Sequence, residues 1–227
     1  MFEYYLIYFI LPLVITLWAQ MGVKNAYAKY SKVASERGLT GYDTARRILD
    51  SNGLSHVQIE QVRGQMTDHY DPRANVIRLS EGVYASNSIA ACGIAAHEAG
   101  HALQYAQGYA PIKLRASVIK GANIGSQMAM PLFFLGLLFA LPGLCWAGII
   151  AFSAAVLFQL ITLPVEFNAS RRAVECIEKF RPSDEELRGV RKMLSAAAMT
   201  YLASLLTSLV YFLRFLFYVL TLFGRRD

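Results

Sequence analysis

Two histidines and a glutamate stand at a spacing that suits metal chemistry, in the segment His97-Glu98-Ala99-Gly100-His101. On a helix, the first and last residues of this segment lie one turn apart on one face, so both imidazoles can bind a single Zn²⁺. Glu98 projects beside them, where its carboxylate can take a proton from a water molecule on the metal. The flanks favour a helix, because no proline interrupts residues 94–109. The alternative is a helix that merely carries two histidines and a glutamate.

A catalytic zinc usually has a third protein ligand and one open position. The pattern HExxHxxGxxH would supply a third histidine, but that place holds Gln107, so this class is excluded. The other common solution is a glutamate from a later helix, and Glu166 is preferred. It ends a long apolar run and is predicted to begin a helix, where the helix dipole favours a carboxylate. Its alternative role is capping or pairing with Arg171 or Arg172. Two later residues remain as substitute ligands: Glu175 and Glu178.

Three further residues are candidates for supporting roles around the metal or the substrate. Ser170 lies one predicted helical turn after Glu166, so its hydroxyl could hydrogen-bond a ligand. His69 precedes a turn and could line the cleft, although a surface histidine is the alternative. Tyr201 could donate to the transition state, although a tyrosine near the end of a span is more commonly an interfacial anchor.

Composition and charge favour a membrane protein. The chain is 55% apolar with a net charge of +6. Its basic residues stand beside long apolar runs, which favours an anionic lipid surface over nucleic acid as the partner. The cysteines, Cys92, Cys145 and Cys176, are far apart and form no CxxC pair. That pattern argues against a disulfide framework and fits a reducing compartment.

The apolar runs divide the chain into five segments. Residues 4–20 can just span a bilayer, and a retained anchor is favoured over a signal peptide because a basic n-region is missing. Residues 128–165 carry no charged side chain and fit two spans with a turn at Pro142-Gly143. Residues 197–224 form a last apolar run, interrupted by Arg214. The predicted segments are an N-terminal anchor (1–22), a catalytic region (23–127), a transmembrane hairpin (128–165), a third-ligand helical segment (166–198) and a C-terminal transmembrane helix (199–227).

Short elements are predicted inside the catalytic region. A basic amphipathic helix should cover residues 24–37, and Asp43 or Thr44 should cap a second helix. Residues 57–62 alternate like a strand, and a hairpin should turn at Asp71-Pro-Arg-Ala-Asn75. An exposed strand edge could bind an extended peptide, with a purely structural hairpin as the alternative. The motif helix should cover residues 87–107 at the membrane surface, because Glu98 would be costly in lipid.

The distribution of basic residues predicts which side of the membrane the catalytic region faces. Lys and Arg number none before the first span, twelve between the first and second spans, seven in residues 166–198 and two after the last span. The two rich segments are separated by two spans, so they face the same side. The positive-inside rule places that side in the cytoplasm.

Four blocks of this sequence together resemble the YugP-type neutral zinc metallopeptidases of bacterial membranes, a family that in turn is similar to the HtpX and Ste24 membrane proteases. The resemblance implies His97, His101 and Glu166 as zinc ligands and Glu98 as the base. Ser170 departs from the HtpX and Ste24 pattern, which has an acidic residue at that place, so the hydrogen bonds behind the ligands should differ. The blocks are Asp68-His-Tyr-Asp-Pro-Arg73, Val76-Ile-Arg-Leu-Ser80, Ala95-Ala-His-Glu-Ala-Gly-His-Ala-Leu-Gln104 and Leu163-Pro-Val-Glu-Phe-Asn-Ala-Ser-Arg-Arg172.

We therefore predict a mainly α, multi-pass protein of the bacterial cell membrane. It should have about four transmembrane helices and a cytoplasmic, zincin-like α+β catalytic part with a small β-hairpin or sheet. The predicted function is a gluzincin-like, Zn²⁺-dependent endopeptidase whose substrates are peptides or proteins, membrane proteins among them. The predicted partners are the lipid bilayer and a membrane protein or further copies of the chain. Nucleic acid is not a predicted partner. One alternative is a non-catalytic membrane scaffold or partner protein with a structural metal site. A second alternative is an intramembrane protease whose motif helix lies in lipid.

Overall fold

Long helices dominate the part of the chain that the computed structural model describes, residues 6–223. The predicted features in residues 1–5 and 224–227, including Arg225 and Arg226, lie outside this range. Four helices of the described chain are long and apolar enough to cross a membrane: Ile7–Tyr30, Ala110–Leu138, Pro142–Glu178 and Asp184–Phe223. The prediction of a mainly α protein with about four such helices and a small sheet is confirmed.

One long helix comes first, a region of short helices and strands follows, and three long helices complete the described chain. A π-helical stretch, Leu6–Ile10, continues into the first α-helix. The elements are α1 (Leu11–Tyr30), α2 (Gly41–Ser51), β1 (Gln58–Val62), β2 (His69–Asp71), β3 (Val76–Ser80), α3 (Glu81–Tyr84), α4 (Ile89–Ala106), α5 (Ala110–Leu138), α6 (Pro142–Glu178) and α7 (Asp184–Phe223).

The chain divides into two compact units. The first, called the membrane unit below, comprises the described residues of Met1–Trp18 and Thr200–Asp227, together with Lys113–Pro164. The second, called the site unit, comprises Ala19–Ile112 and Val165–Met199. The small sheet and α4 belong to the site unit.

A three-stranded sheet with the order β1-β3-β2 lies in the site unit. β3 pairs in parallel with β1 and antiparallel with β2, so β1 and β2 are the two edges. The predicted hairpin is formed by β2 and β3. Asp71 builds its turn, since Oδ1 accepts from the backbone of Arg73 at 2.9 Å, and Asn75 adopts the left-handed conformation that this residue type tolerates (φ 54°).

The core of the site unit is formed where β3 and α2 pack against α4. Ile77 and Leu79 of β3 and Ile48 and Leu49 of α2 are fully buried. Each such aliphatic side chain contributes about 1.5–3 kcal/mol when it leaves water. α4 presents small residues to this core, which allows its neighbours to come close: Ala90, Ala91, Ala95, Ala96, Ala99 and Ala102 are all buried.

Three predicted boundaries were wrong. The separate helix at 24–37 does not form: α1 runs on to Tyr30, and the following backbone pairs instead with the entry to α4, where Ser35 N donates to Asn87 O at 2.7 Å. The N-cap of α2 is Thr40, one turn before the predicted residues, and it forms a capping box with Asp43. The turn between the two central spans precedes Pro142, which instead opens α6, where its missing N–H costs nothing.

Candidate metal centre

The two histidines of the motif are positioned by α4. Ser88 is its N-cap, with the hydroxyl accepting from Ala91 N at 3.2 Å. The helix then runs through Ala106 without a proline, so His97 and His101 fall on one face. Their ring centroids lie 4.7 Å apart with the planes nearly perpendicular (84°). Each ring turns its Nε2 atom towards the same carboxylate.

That carboxylate belongs to Glu166 of α6, which is 2% exposed. Its Oε2 atom lies 3.2 Å from Nε2 of His97 and 3.5 Å from Nε2 of His101. One ligand atom from each of the three residues lies within 4.8 Å of the others. The structure thus brings together the three residues that the sequence singled out as metal ligands.

The structural reason given for Glu166 was wrong. It does not stand in the first turn of a helix, because α6 begins at Pro142 and continues to Glu178. Pro164 lies inside this helix, where an apolar membrane helix tolerates it. The local dipole therefore does not account for this position. What places the carboxylate is the packing of α6 against α4.

The remaining ring nitrogens are held by two side chains that can fix the tautomer. Ser170 Oγ lies 3.2 Å from Nδ1 of His97. Gln104 Oε1 lies 3.0 Å from Nδ1 of His101. A carbonyl oxygen can only accept, so Nδ1 of His101 carries the proton and Nε2 keeps a lone pair. Such hydrogen bonds behind the ligands orient imidazoles for metal binding.

Gln104 was not predicted as part of the site. It is fully buried, and its Nε2 donates to Val165 O at 2.8 Å and to Asn168 Oδ1 at 3.0 Å. One amide therefore links the imidazole on α4 to the backbone of α6. The available signal was a glutamine one turn after His101, on the helix face that carries both histidines.

Gly100 lets the two helices touch. A methyl group built on Gly100 would come within 2.7 Å of the carbonyl oxygen of Ala169. No real side chain tolerates that distance, so only glycine allows this approach of α4 to α6. The contact lies beside His101 in sequence and thus helps to set the separation between the imidazoles and Glu166.

Electrostatics at the centre favour a cation. Burial alone would lower the pKa of His101, but its hydrogen bond to Glu166 and the charges of Glu98 and Glu166 outweigh burial and raise it. Glu98 is 8% exposed, and within residues 6–223 its carboxylate makes no hydrogen bond or ion pair. Glu98 follows His97 on α4, and its charge is one of the causes that raise the pKa of His101.

The donor set fits zinc. Two imidazole nitrogens and one carboxylate oxygen are donors that Zn²⁺ takes in sites that keep an open position. The atoms that would bind the metal face one another, while the opposite ring nitrogens are already hydrogen-bonded. The part of the chain that the structure describes thus provides a group of three donors that could hold a metal ion.

Other residues singled out from the sequence lie elsewhere. His69 is exposed on β2, with Nδ1 2.7 Å from Thr67 O. Tyr201 belongs to the membrane unit. Glu175 pairs with Arg171 at 3.6 Å and Glu178 pairs with Arg191, both on the exposed surface. None of these four is among the residues of the metal cluster described above.

The fold and this centre define a class: helical proteins with helices long and apolar enough to cross a membrane and a His-His-Glu group that could hold a metal ion. Comparison with known proteins identifies the family. Residues 5–220 match the family described as "Putative neutral zinc metallopeptidase", and the chain belongs to it. The resemblance predicted from the four sequence blocks is thereby confirmed, and membership implies Zn²⁺ as the metal.

A curated relative is similar over most of its length. The chain is 53% identical over 203 residues to "Putative membrane protease YugP" of Bacillus subtilis (strain 168), which covers 88% of this chain and 90% of that protein. No solved structure shows significant similarity to the chain.

Proposed function

We propose that the protein is a membrane-bound zinc endopeptidase in which Glu98 is the general base. The observation that carries the proposal is the meeting of His97, His101 and Glu166 within 4.8 Å. Glu98 is the residue after His97, and its carboxylate makes no hydrogen bond or ion pair within residues 6–223. Membership of the family described as "Putative neutral zinc metallopeptidase" and 53% identity to "Putative membrane protease YugP" support the reaction class.

The proposed ligands are Nε2 of His97, Nε2 of His101 and a carboxylate oxygen of Glu166. Ser170 and Gln104 hold the two rings by their Nδ1 atoms, so the metal-binding face of each imidazole stays fixed. When bound, zinc supplies Lewis acidity, which polarises the scissile carbonyl and brings the pKa of water towards neutrality.

Proton transfer in the proposed mechanism belongs to Glu98. Its carboxylate accepts a proton from the attacking water as the oxygen bonds to the carbonyl carbon. It then gives this proton to the leaving amine as the C–N bond breaks, so that Glu98 is regenerated as a carboxylate.

The sheet provides the proposed alignment of substrate. Among the described strands, β1 pairs with β3 alone, and its residues are largely exposed. The outer backbone groups of β1 can hydrogen-bond to the backbone of an extended peptide, so binding does not depend on the side chains of the peptide. Segment 57–80 would then present peptides of varied sequence to the metal.

A single substitution tests the base. Glu98→Gln keeps the shape of the side chain and leaves the three ligands in place, so zinc should stay bound. Cleavage of casein or of a membrane-protein substrate should fall by roughly 10²- to 10⁴-fold, as expected for the loss of a general base. Glu175→Gln, which removes an exposed carboxylate from α6, is the matched control and should cleave normally. Unchanged cleavage by Glu98→Gln would exclude this residue as the base.

A structural metal site is the alternative function. Structural zinc is usually closed by four protein ligands, often cysteines. The cluster in residues 6–223 has three, and neither His69 nor a cysteine belongs to it. A scaffold would bind zinc yet cleave nothing in the same assay, which separates the two functions.

We also propose that the metal centre faces the cytoplasm, because the basic residues cluster in residues 21–127 and 166–198. All three native cysteines are buried, so they give little background for labelling. Ala74→Cys introduces a thiol in the exposed hairpin turn. A membrane-impermeant thiol reagent should label it in inverted vesicles and not in intact cells; the opposite result would reverse the orientation.

A further inference from the structure

The membrane unit contains a cavity of about 330 Å³ that the proposed peptidase reaction does not use. It lies among α5, α6 and α7. Seven of its lining residues are polar: Arg115, Asn123, Ser126, Gln159, Thr162, Tyr201 and Ser204. Ionisable side chains between membrane helices are expensive, so Arg115 makes this cavity a candidate functional site.

Two of these side chains have buried atoms that lack a partner. Thr162 Oγ1 and Gln159 Oε1 are inaccessible to solvent and make no hydrogen bond within residues 6–223. Thr162 is 95% buried, since its exposed fraction is 5%. An unpaired buried polar group destabilises the folded protein, because it has lost its hydrogen bonds to water. If these side chains rotate towards the cavity, a ligand with hydrogen-bonding groups satisfies both atoms, whereas an acyl chain does not.

The charge of the cavity indicates the ligand class. Arg115 lines it, and none of the lining residues is acidic. The charged residues of α5, namely Lys113, Arg115 and Lys120, all lie near the beginning of this helix, and residues 121–165 carry none. The cavity thus opens among groups at the cationic end of the apolar helices, where phospholipid headgroups lie.

The lining of the cavity suits a small polar group. A phosphate with a short polyol fits, and it matches the lining: Arg115 and the hydroxyls donate to phosphate oxygens, while hydroxyls of the ligand can donate to Gln159 Oε1.

We propose that this cavity binds the headgroup of an anionic glycerophospholipid, of the phosphatidylglycerol type. The phosphodiester lies against Arg115, and the glycerol hydroxyls pair with Gln159 and Thr162. This site is separate from the metal centre and does not depend on the proposed peptidase activity.

Lipid binding to the purified full-length protein in detergent tests the proposal. Phosphatidylglycerol should raise the thermal unfolding midpoint and remain bound in native mass spectrometry, and phosphatidylcholine with the same acyl chains should do neither. Arg115→Gln should weaken phosphatidylglycerol binding roughly tenfold or more, as expected for a lost charge-assisted hydrogen bond. Lys120→Gln, which removes an exposed charge from the same helix outside the cavity lining, should leave binding unchanged.

A second variant guards against misfolding and general charge effects. Thr162→Val keeps the shape and removes a hydroxyl that has no partner, so the protein should be at least as stable without lipid but should bind phosphatidylglycerol several-fold more weakly. Ser153→Ala, on an exposed part of α6, is its control. Equal responses of all variants, or equal protection by phosphatidylcholine, would overturn the proposal. Equal protection by inorganic phosphate would assign the site to a free anion instead.

Discussion

Gln104 accepts a hydrogen bond from His101 at the ring nitrogen opposite the proposed ligand atom, with Oε1 3.0 Å from Nδ1. The same amide donates to the backbone of Val165, the residue before Glu166. The position of one proposed ligand is thereby tied to the backbone beside another. The tautomer of the imidazole and the placement of the carboxylate are set by one buried side chain.

Replacing Gln104 should therefore weaken metal binding without removing a ligand. Gln104→Leu keeps the approximate volume but loses the acceptor for Nδ1 of His101. We expect zinc affinity to fall about 10- to 100-fold, as for other residues behind metal ligands. Competition with a chromophoric chelator measures it. Gln107→Leu, an exposed glutamine at the end of the same helix, should bind zinc like the wild type. Equal affinities of the two variants would show that the Gln104 contact does not orient the ring.

Loss of the Glu166 carboxylate should release the metal. Glu166→Ala leaves two imidazoles, which hold zinc far more weakly than three ligands do. Elemental analysis after dialysis should find near-stoichiometric zinc in the wild type and in the Glu175→Ala control, and traces in Glu166→Ala. Full zinc occupancy in Glu166→Ala would rule out Glu166 as the third ligand. Glu175 and Glu178 would then have to be tested as ligands.

The parts of the site that depend on local spacing could be predicted from the sequence. His97 and His101 share a face because four residues make about one helical turn. Glu166 was predicted as a ligand from the order of apolar and polar segments. The helix start inferred at this residue was wrong, because α6 begins at Pro142. Gln104 and Gly100 could not be recognised in the same way. Their roles depend on contacts with residues of α6 that are more than sixty positions away.

The same limit applies to the fold. Apolar runs predict the long helices because a bilayer requires about 20 apolar residues per span. The alternation in residues 57–62 predicts a strand but does not choose its partner. The parallel pairing of β1 with β3 aligns Gln58 with Val76, and it depends on how the intervening hairpin and α4 pack.

Gly100→Ala should destabilise the site unit. Its methyl group would lie 2.7 Å from Ala169 O, so α4 and α6 would have to separate. Overpacking of this kind costs about 1–3 kcal/mol. Gly93→Ala on the same helix is the matched control: its methyl group would lie 3.7 Å from Val190 Cγ1, an ordinary contact. Thermal unfolding should separate the two variants, and zinc occupancy should fall in Gly100→Ala alone. A normal midpoint and full zinc in both would mean that the helices adjust freely.

The capping box of α2 should make stability depend on pH. Hydrogen bonds from the Thr40 side chain and backbone lower the pKa of Asp43. A lowered folded pKa gives stability that is present above the ordinary Asp pKa of about 3.9 and is lost as pH falls through the folded value. Asp43→Ala should therefore lower the unfolding midpoint at neutral pH, and its difference from wild type should shrink below about pH 4. A difference that stays constant into acid would argue against a role for the charge.

Thr40→Val tests the cause of that pH dependence. It removes the hydroxyl that donates to Asp43 Oδ2 at 2.6 Å and accepts from Asp43 N at 3.1 Å. The lost cap should cost about 1 kcal/mol at neutral pH. The acid transition should also move to higher pH, because the carboxylate loses its main stabilising donor.

The backbone contact at Gly100 bears on which ions the centre accepts. Helices that already touch cannot move closer, and the buried amide of Gln104 resists their separation, so the gap between the imidazoles and the carboxylate has little freedom to widen. Calcium needs about six to eight oxygen donors at roughly 2.3–2.6 Å. We therefore expect a centre with two nitrogen donors and one carboxylate at a fixed spacing to bind calcium poorly, so that the absence of a side chain at Gly100 contributes to ionic selectivity.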